Sequence, residues 1–198
     1  MFDVTLLTPT HGFSSNSYLL HSREECAVVD PSSPYSTSYG AVKYVLLTHA
    51  HFDHMLEIDS WVNSTGATVI VSRYDSAALR DSAKNCYKSF YGIDGGYFGP
   101  YMTVDDGDKL TLGDETIEVI SVPGHTPGSV IYSIGDTAFV GDLVFAGGGY
   151  GRFDLPGGDY IALMDSIHRV LEFDDSVMLL CGHNEATTVS EYKRFYNI

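Results

Sequence analysis

The stretch THAHFDH (residues 48–54) sets three histidines and an aspartate within six positions, 49–54. On a strand His49 and His51 share a face, but the neighbours Asp53 and His54 point to opposite faces there, or about 100° apart on a helix. No regular element gathers all four at one point. The stretch therefore predicts a loop between the apolar run VKYVLLT (42–48) and a helix beginning near Met55, at the carboxyl end of a strand, where α/β proteins place ligands. Four imidazole and carboxylate donors so close together suit two adjacent metal ions.

Outward from this point the chain alternates short apolar runs with Gly-rich turns. NSYLLH, CAVVD, VKYVLLT, ATVIVS, TIEVISV, SVIYSI, TAFVGD and VMLLC read as strands. Met55, Ile58, Trp61 and Val62 recur at helical spacing, as do Ile161, Met164, Ile167 and Leu171, so two helices are expected to lie on a sheet. PSSPYSTSYG, GIDGGYFGPY and AGGGYGRFDLPGGD are punctuated by Gly and Pro and read as loops. Three further runs end in a potential ligand: VISVPGH at His125, TAFVGD at Asp142 and VMLLCGH at His183. Alone, Asp53 reads as a helix N-cap and Asp142 as a turn residue; together, four strand ends carrying metal-ligand chemistry outweigh coincidence. His11, His21 and His168 have no such setting and are expected at the surface or behind the ligands. Cys181, inside an apolar run, reads as a small core residue.

Composition narrows the partners. Eleven basic and 26 acidic residues give a formal charge of −15 with no Lys/Arg block, so a phosphate backbone is repelled and nucleic acid is not an expected partner. The opening MFDVTLLTPTHGF has no basic n-region, and no segment reaches the roughly 18 apolar residues of a membrane span, so a cytoplasmic chain without membrane contact is expected. Cys26, Cys86 and Cys181, odd in number and widely spaced, suit reduced buried thiols. A length of 198 residues that are 44% hydrophobic fits a single domain spanning 1–198.

THAHFDH, PGHTPGS (123–129), the GD at 141–142 and the GH at 182–183 together resemble the metallo-β-lactamase superfamily, and NSYLL and VVDP resemble its early strands. The resemblance runs nearly end to end. It implies an α/β (α+β) four-layer αββα sandwich with the site along one sheet edge. By motif position, His49, His51 and His125 would hold a first divalent metal, Asp53, His54 and His183 a second, and Asp142 would bridge them. Zinc is the first expectation, with iron or manganese as alternatives. Asp53 would also act catalytically by orienting a metal-held hydroxide.

GDLVFAGGGYGRFDLPGGD looks most like glyoxalase II-type hydrolases, which implies a small-molecule thioester substrate such as an acyl-glutathione, or another activated ester or lactone. Arg152 would then hold an anionic substrate, unless it only organises its loop through Asp154. Ala50 stands where the family usually has Gly, Met55 and Leu56 replace a usual Gly-Gly, and 15 residues follow His183, without the helical segment that completes the glutathione site of glyoxalase II. The segment KSFYGIDGGYFGPY (88–101) reads as an aromatic wall over the metals through Phe90, Tyr91, Tyr97 and Phe98, or as a surface loop or homodimer contact. Two rival readings are a persulfide dioxygenase with one iron on His49, His125 and Asp142, and a noncatalytic scaffold stapled by metal.

Overall fold

A computed structural model describes residues 2–8 and 12–196. His11 lies outside the described residues. Two six-stranded sheets face each other. The first runs in sequence order, β1 (Phe2–Leu7), β2 (Ser17–Ser22), β3 (Glu25–Val29), β4 (Ala41–Leu46), β5 (Thr68–Ser72) and β6 (Met102–Val104), antiparallel up to β3 and parallel beyond it. The second contains β7 (Lys109–Leu112), β8 (Glu115–Ser121), β9 (Val130–Ile134) and β10 (Thr137–Gly141). After the small hairpin of β11 (Val144–Phe145) and β12 (Gly149–Tyr150), it is completed by β13 (Met178–Cys181) and β14 (Thr187–Thr188). Its order is β14-β13-β10-β9-β8-β7, with β10 and β13 parallel. Helices α1 (Ile58–Thr65), α2 (Tyr87–Tyr91), α3 (Tyr160–Leu171) and α4 (Val189–Arg194) complete the fold.

Side-chain alternation explains the layering. Leu20, Ala27, Val29, Leu46 and Ile70 of the first sheet meet Ile117, Val119, Tyr132 and Phe139 of the second in a shared core. Their sequence neighbours Leu19, Val28, Val45, Val69 and Val71 point the other way, onto Ile58 and Trp61 of α1. Ala138, Val140 and Leu179 likewise face outward onto Leu163, Ile167 and Val170 of α3 and Tyr192 of α4. Strands buried on both faces read as continuous apolar runs, which is why VKYVLLT and TVIVS look as they do. The result is the expected αββα order.

Two helix expectations are corrected. The helix after the His/Asp stretch begins at Ile58, not near Met55: a 3₁₀ turn over Phe52–His54 comes first, and Met55 leaves it at φ −135°. That tight turn aims Asp53 and His54, which a continuing α-helix would splay. On α3 the buried stripe is Leu163, Ser166, Ile167 and Val170, whereas Ile161 is 73% exposed. The segment has two overlapping apolar stripes, and only contact with the second sheet chooses between them. A short helix, α2, also occupies the start of the expected aromatic loop.

Because β10 and β13 are parallel and β9 runs opposite to β10, the ends of β10 and β13 and the β8–β9 turn share one rim. A hydrogen bond from Val130 N to the Thr48 carbonyl (2.8 Å) ties that rim to the end of β4 in the first sheet. No helix of the described residues is long and apolar enough to cross a membrane.

Candidate metal centre

All seven sequence-selected donors meet at this rim. The ligand atoms of His49, His51 and His125 lie within 4.8 Å of one another, and the same holds for His49, His54 and Asp142 and for Asp53, His54 and His183. Asp142 sits between the groups: its Oδ1 is 3.3 Å from His54 Nε2, and its Oδ2 is 3.6 Å from His125 Nε2 and 3.5 Å from His183 Nε2. Asp53 Oδ2 lies 3.1 Å from His183 Nε2. Gly141 precedes Asp142 with φ +53°, a left-handed turn that suits Gly and swings the carboxylate inward from the strand end.

Buried neighbours orient these groups. Asp30 accepts from His54 Nδ1 (2.8 Å), and also from the backbone N–H and Oγ1 of Thr48 (2.8 and 2.7 Å). His54 is thereby held with Nδ1 protonated and the Nε2 lone pair turned inward. His125 Nδ1 donates to the Arg152 carbonyl (2.6 Å) with the same effect. Asp75 joins two ligand loops by accepting from Ala50 N (3.0 Å), Thr126 Oγ1 (2.8 Å) and Gly128 N (2.8 Å). Asn16 binds the carbonyls flanking His183, at Cys181 (3.0 Å) and Asn184 (2.8 Å). Sequence reasoning missed these roles for Asp30, Asp75 and Asn16. For Asp30 the signal was an acidic residue closing an apolar strand before Pro31; Asp75 and Asn16 gave none.

The residues fit divalent cations. Among the described residues, five buried side-chain N and O atoms lack a hydrogen-bond partner, and four are His49 Nε2, His51 Nε2, His54 Nε2 and Asp142 Oδ1. Buried polar atoms of folded proteins are nearly always paired, so the orphans on His49, His54 and Asp142, residues whose ligand atoms lie within 4.8 Å of one another, mark a place for a bound group, while His51 turns its Nδ1 to His125 Nε2 at 2.9 Å. Burial and then the neighbouring imidazoles push His49 well down and His51 down to about 3, which keeps both neutral and ligand-competent. Burial also disfavours a charged His54, but Asp30, Asp142 and Asp53 outweigh it and hold its pKa well up. A cation placed among those carboxylates would replace that proton. Burial raises Asp142 and Asp53, yet the surrounding histidines, His54 foremost, keep both below the ordinary carboxylate range.

Other expectations divide. Cys26, Cys86 and Cys181 are free and buried, and Cys181 offers nothing to the cluster. His21 contacts Cys26 Sγ (3.0 Å) at the end of β2, and His168 is exposed on α3. The Arg152 guanidinium pairs with Asp154 through two 2.9 Å contacts and also lines the cavity beside the donors. Of the aromatic segment, Phe90 lines that cavity, Tyr97 is buried in the cluster between the first sheet and α1, and Phe98 is exposed elsewhere.

The chain has relatives among known proteins. The metallo-beta-lactamase superfamily profile matches residues 11–183. The chain is 31% identical to the probable metallo-hydrolase YqgX of Bacillus subtilis, covering 91% of this chain and 90% of that one. It is 30% identical to hydroxyacylglutathione hydrolase GloC of Haemophilus influenzae, covering 95% and 94%. Among solved structures it superposes on the BLEG-1 B3 metallo-beta-lactamase with a TM-score of 0.88 at 29% identity, covering 98% and 97% of the chains. TTHA1623 in a di-iron-bound form gives 0.84 at 28%, covering 95% and 96%.

Proposed function

Since the chain belongs to the metallo-β-lactamase superfamily, we propose that it is a dinuclear metal-dependent hydrolase cleaving a small-molecule thioester of the acyl-glutathione kind. The observation that carries the reading is the pair of donor groups around Asp142, with His49 Nε2, His54 Nε2 and Asp142 Oδ1 buried and without a hydrogen-bond partner. The 30% identity to a hydroxyacylglutathione hydrolase supports the thioester, while the di-iron neighbour keeps iron beside zinc as the metal. A complete second group, Asp53, His54 and His183, favours two metals over the single iron of a dioxygenase.

Divalent ions supply Lewis acidity and an activated water at neutral pH. His49, His51 and His125 would hold one ion and Asp53, His54 and His183 the other, with Asp142 shared. Asp53 is 17% exposed at the cavity and orients the attacking water through its carboxylate. Asp30 and the Arg152 carbonyl fix the imidazoles so that little reorganisation accompanies reaction. Arg152 binds an anionic part of the substrate. The products are a carboxylate and a thiol, and a thiolate leaves without an acid to protonate it in the rate-limiting step.

Metal analysis and a hydrolysis screen test this reading. Two equivalents of zinc or iron per chain and turnover of acyl-glutathiones are expected. Absence of turnover with every thioester offered, at full metal occupancy, overturns it.

A further inference from the structure

The cavity beside the seven donors encloses about 430 Å³, within the range of small-ligand sites. Its lining divides by chemistry. One part is His51, Asp53, His125, Asp142 and His183; much of the rest is Phe13, Phe52, Phe90, Phe145, Tyr150 and Leu155. Phe13 and Phe90 are 57% and 46% exposed, large apolar surfaces left to solvent. Exposed rings scattered singly need no explanation, but these converge. Phe13 meets Phe90 edge-on at 6.0 Å, and Phe90 leans on the buried Phe52 at 4.8 Å, one residue before Asp53. Phe145 stands edge-on to His183 at 6.1 Å. The rings therefore begin next to the donors that would hold a reacting carbonyl. Among the lining residues the one permanent cation, Arg152, is engaged by Asp154.

We propose that Phe13 and Phe90, with Phe145 and Leu155, form an acyl-chain subsite that selects medium-length aliphatic or aromatic acyl groups over acetyl-sized ones. The inference rests on the hydrolase reading above. With the carbonyl at the donors, the acyl chain lies against the rings and drives out the water covering them. An acetyl or small hydroxyacyl group leaves them wet. Each methylene placed on the rings strengthens binding by about fourfold until the wall is covered.

The test uses two series on the zinc-loaded protein: binding of acetate, butyrate, hexanoate, octanoate and phenylacetate, and hydrolysis of thioesters of the same acids on one thiol. Affinity should rise by about fourfold per methylene to hexanoate, and kcat/KM should follow. Phe13→Ala and Phe90→Ala, at exposed positions that leave the core intact, should flatten both slopes. Carboxylate affinity independent of length, or a rising series that neither substitution flattens, overturns the subsite. The two readings fail separately: rising carboxylate affinity without thioester turnover keeps the subsite and removes the reaction, and length-blind turnover does the reverse.

Discussion

His54 Nδ1 lies 2.8 Å from Asp30 Oδ2, with both side chains almost wholly withdrawn from water at 0% and 3% exposure. Asp30 also holds Thr48 at the start of the ligand loop, so one carboxylate sets both the ring and the backbone that presents it. Asp30→Ala leaves these donors buried without an acceptor. A loss of about 3 kcal/mol in stability is expected, read from the denaturant midpoint, together with about 10–100-fold weaker metal binding by chelator competition.

Asp75 acts between loops rather than on a ligand. Its carboxylate takes the backbone N–H between His49 and His51, the hydroxyl beside His125 and the N–H of Gly128. Asp75→Ala is expected to cost about 3 kcal/mol and to weaken the ion held by His49, His51 and His125 more than its neighbour. Metal titration with a coloured chelator, resolved into two steps, reads the difference.

Gly182 is tested by adding one carbon. A Cβ there would stand 2.3 Å from Asp142 Oδ1 and 2.7 Å from His54 Cε1. Gly182→Ala should keep its circular dichroism spectrum yet lose most activity and at least one metal equivalent, because the clash falls on two of the side chains that would hold the ions.

Arg152 separates side chain from backbone. Its carbonyl holds His125 whatever the side chain, and its guanidinium pair with Asp154 is exposed. Exposed pairs contribute about 0–1 kcal/mol, so Arg152→Ala should barely move the unfolding midpoint. KM for an anionic thioester is expected to rise by about tenfold with kcat little changed. An unchanged KM assigns the guanidinium to loop organisation alone.

Metal removal tests the orphaned atoms. An ion present at a thousandfold above its dissociation constant stabilises by about 4 kcal/mol, which for a chain of this size raises Tm by about 8–16 °C. Calorimetry before and after dialysis against chelator should show that shift, reversed by restoring zinc.

All seven residues that meet at the rim were legible because their residue types and positions after apolar runs announce themselves locally. So were eight of the strands: two-sided burial makes β2, β3, β5, β9 and β10 compact apolar runs, and β8 shows the alternation of a half-buried strand. β1, β6, β7, β11, β12 and β14 were missed: the burial of β1 is uneven, with only Leu7 fully buried, and the others are two to four residues long. α2 and α4, at five and six residues, are too short to show a period.

The sequence by itself determined which atoms are available for chemistry and that they lie on loops after strands. Periodicity and side-chain identity are local properties, carried by the chain before it folds. Tertiary structure alone decided that β10, β13 and the β8–β9 turn end at the same rim as β4, which face of α3 is buried, that Asp30, Asp75 and the Arg152 carbonyl aim the ligands, and that Phe13 meets Phe90. These depend on strand order and sheet-to-sheet packing, where residues as many as 168 positions apart, such as Asn16 and Asn184, become hydrogen-bonded neighbours.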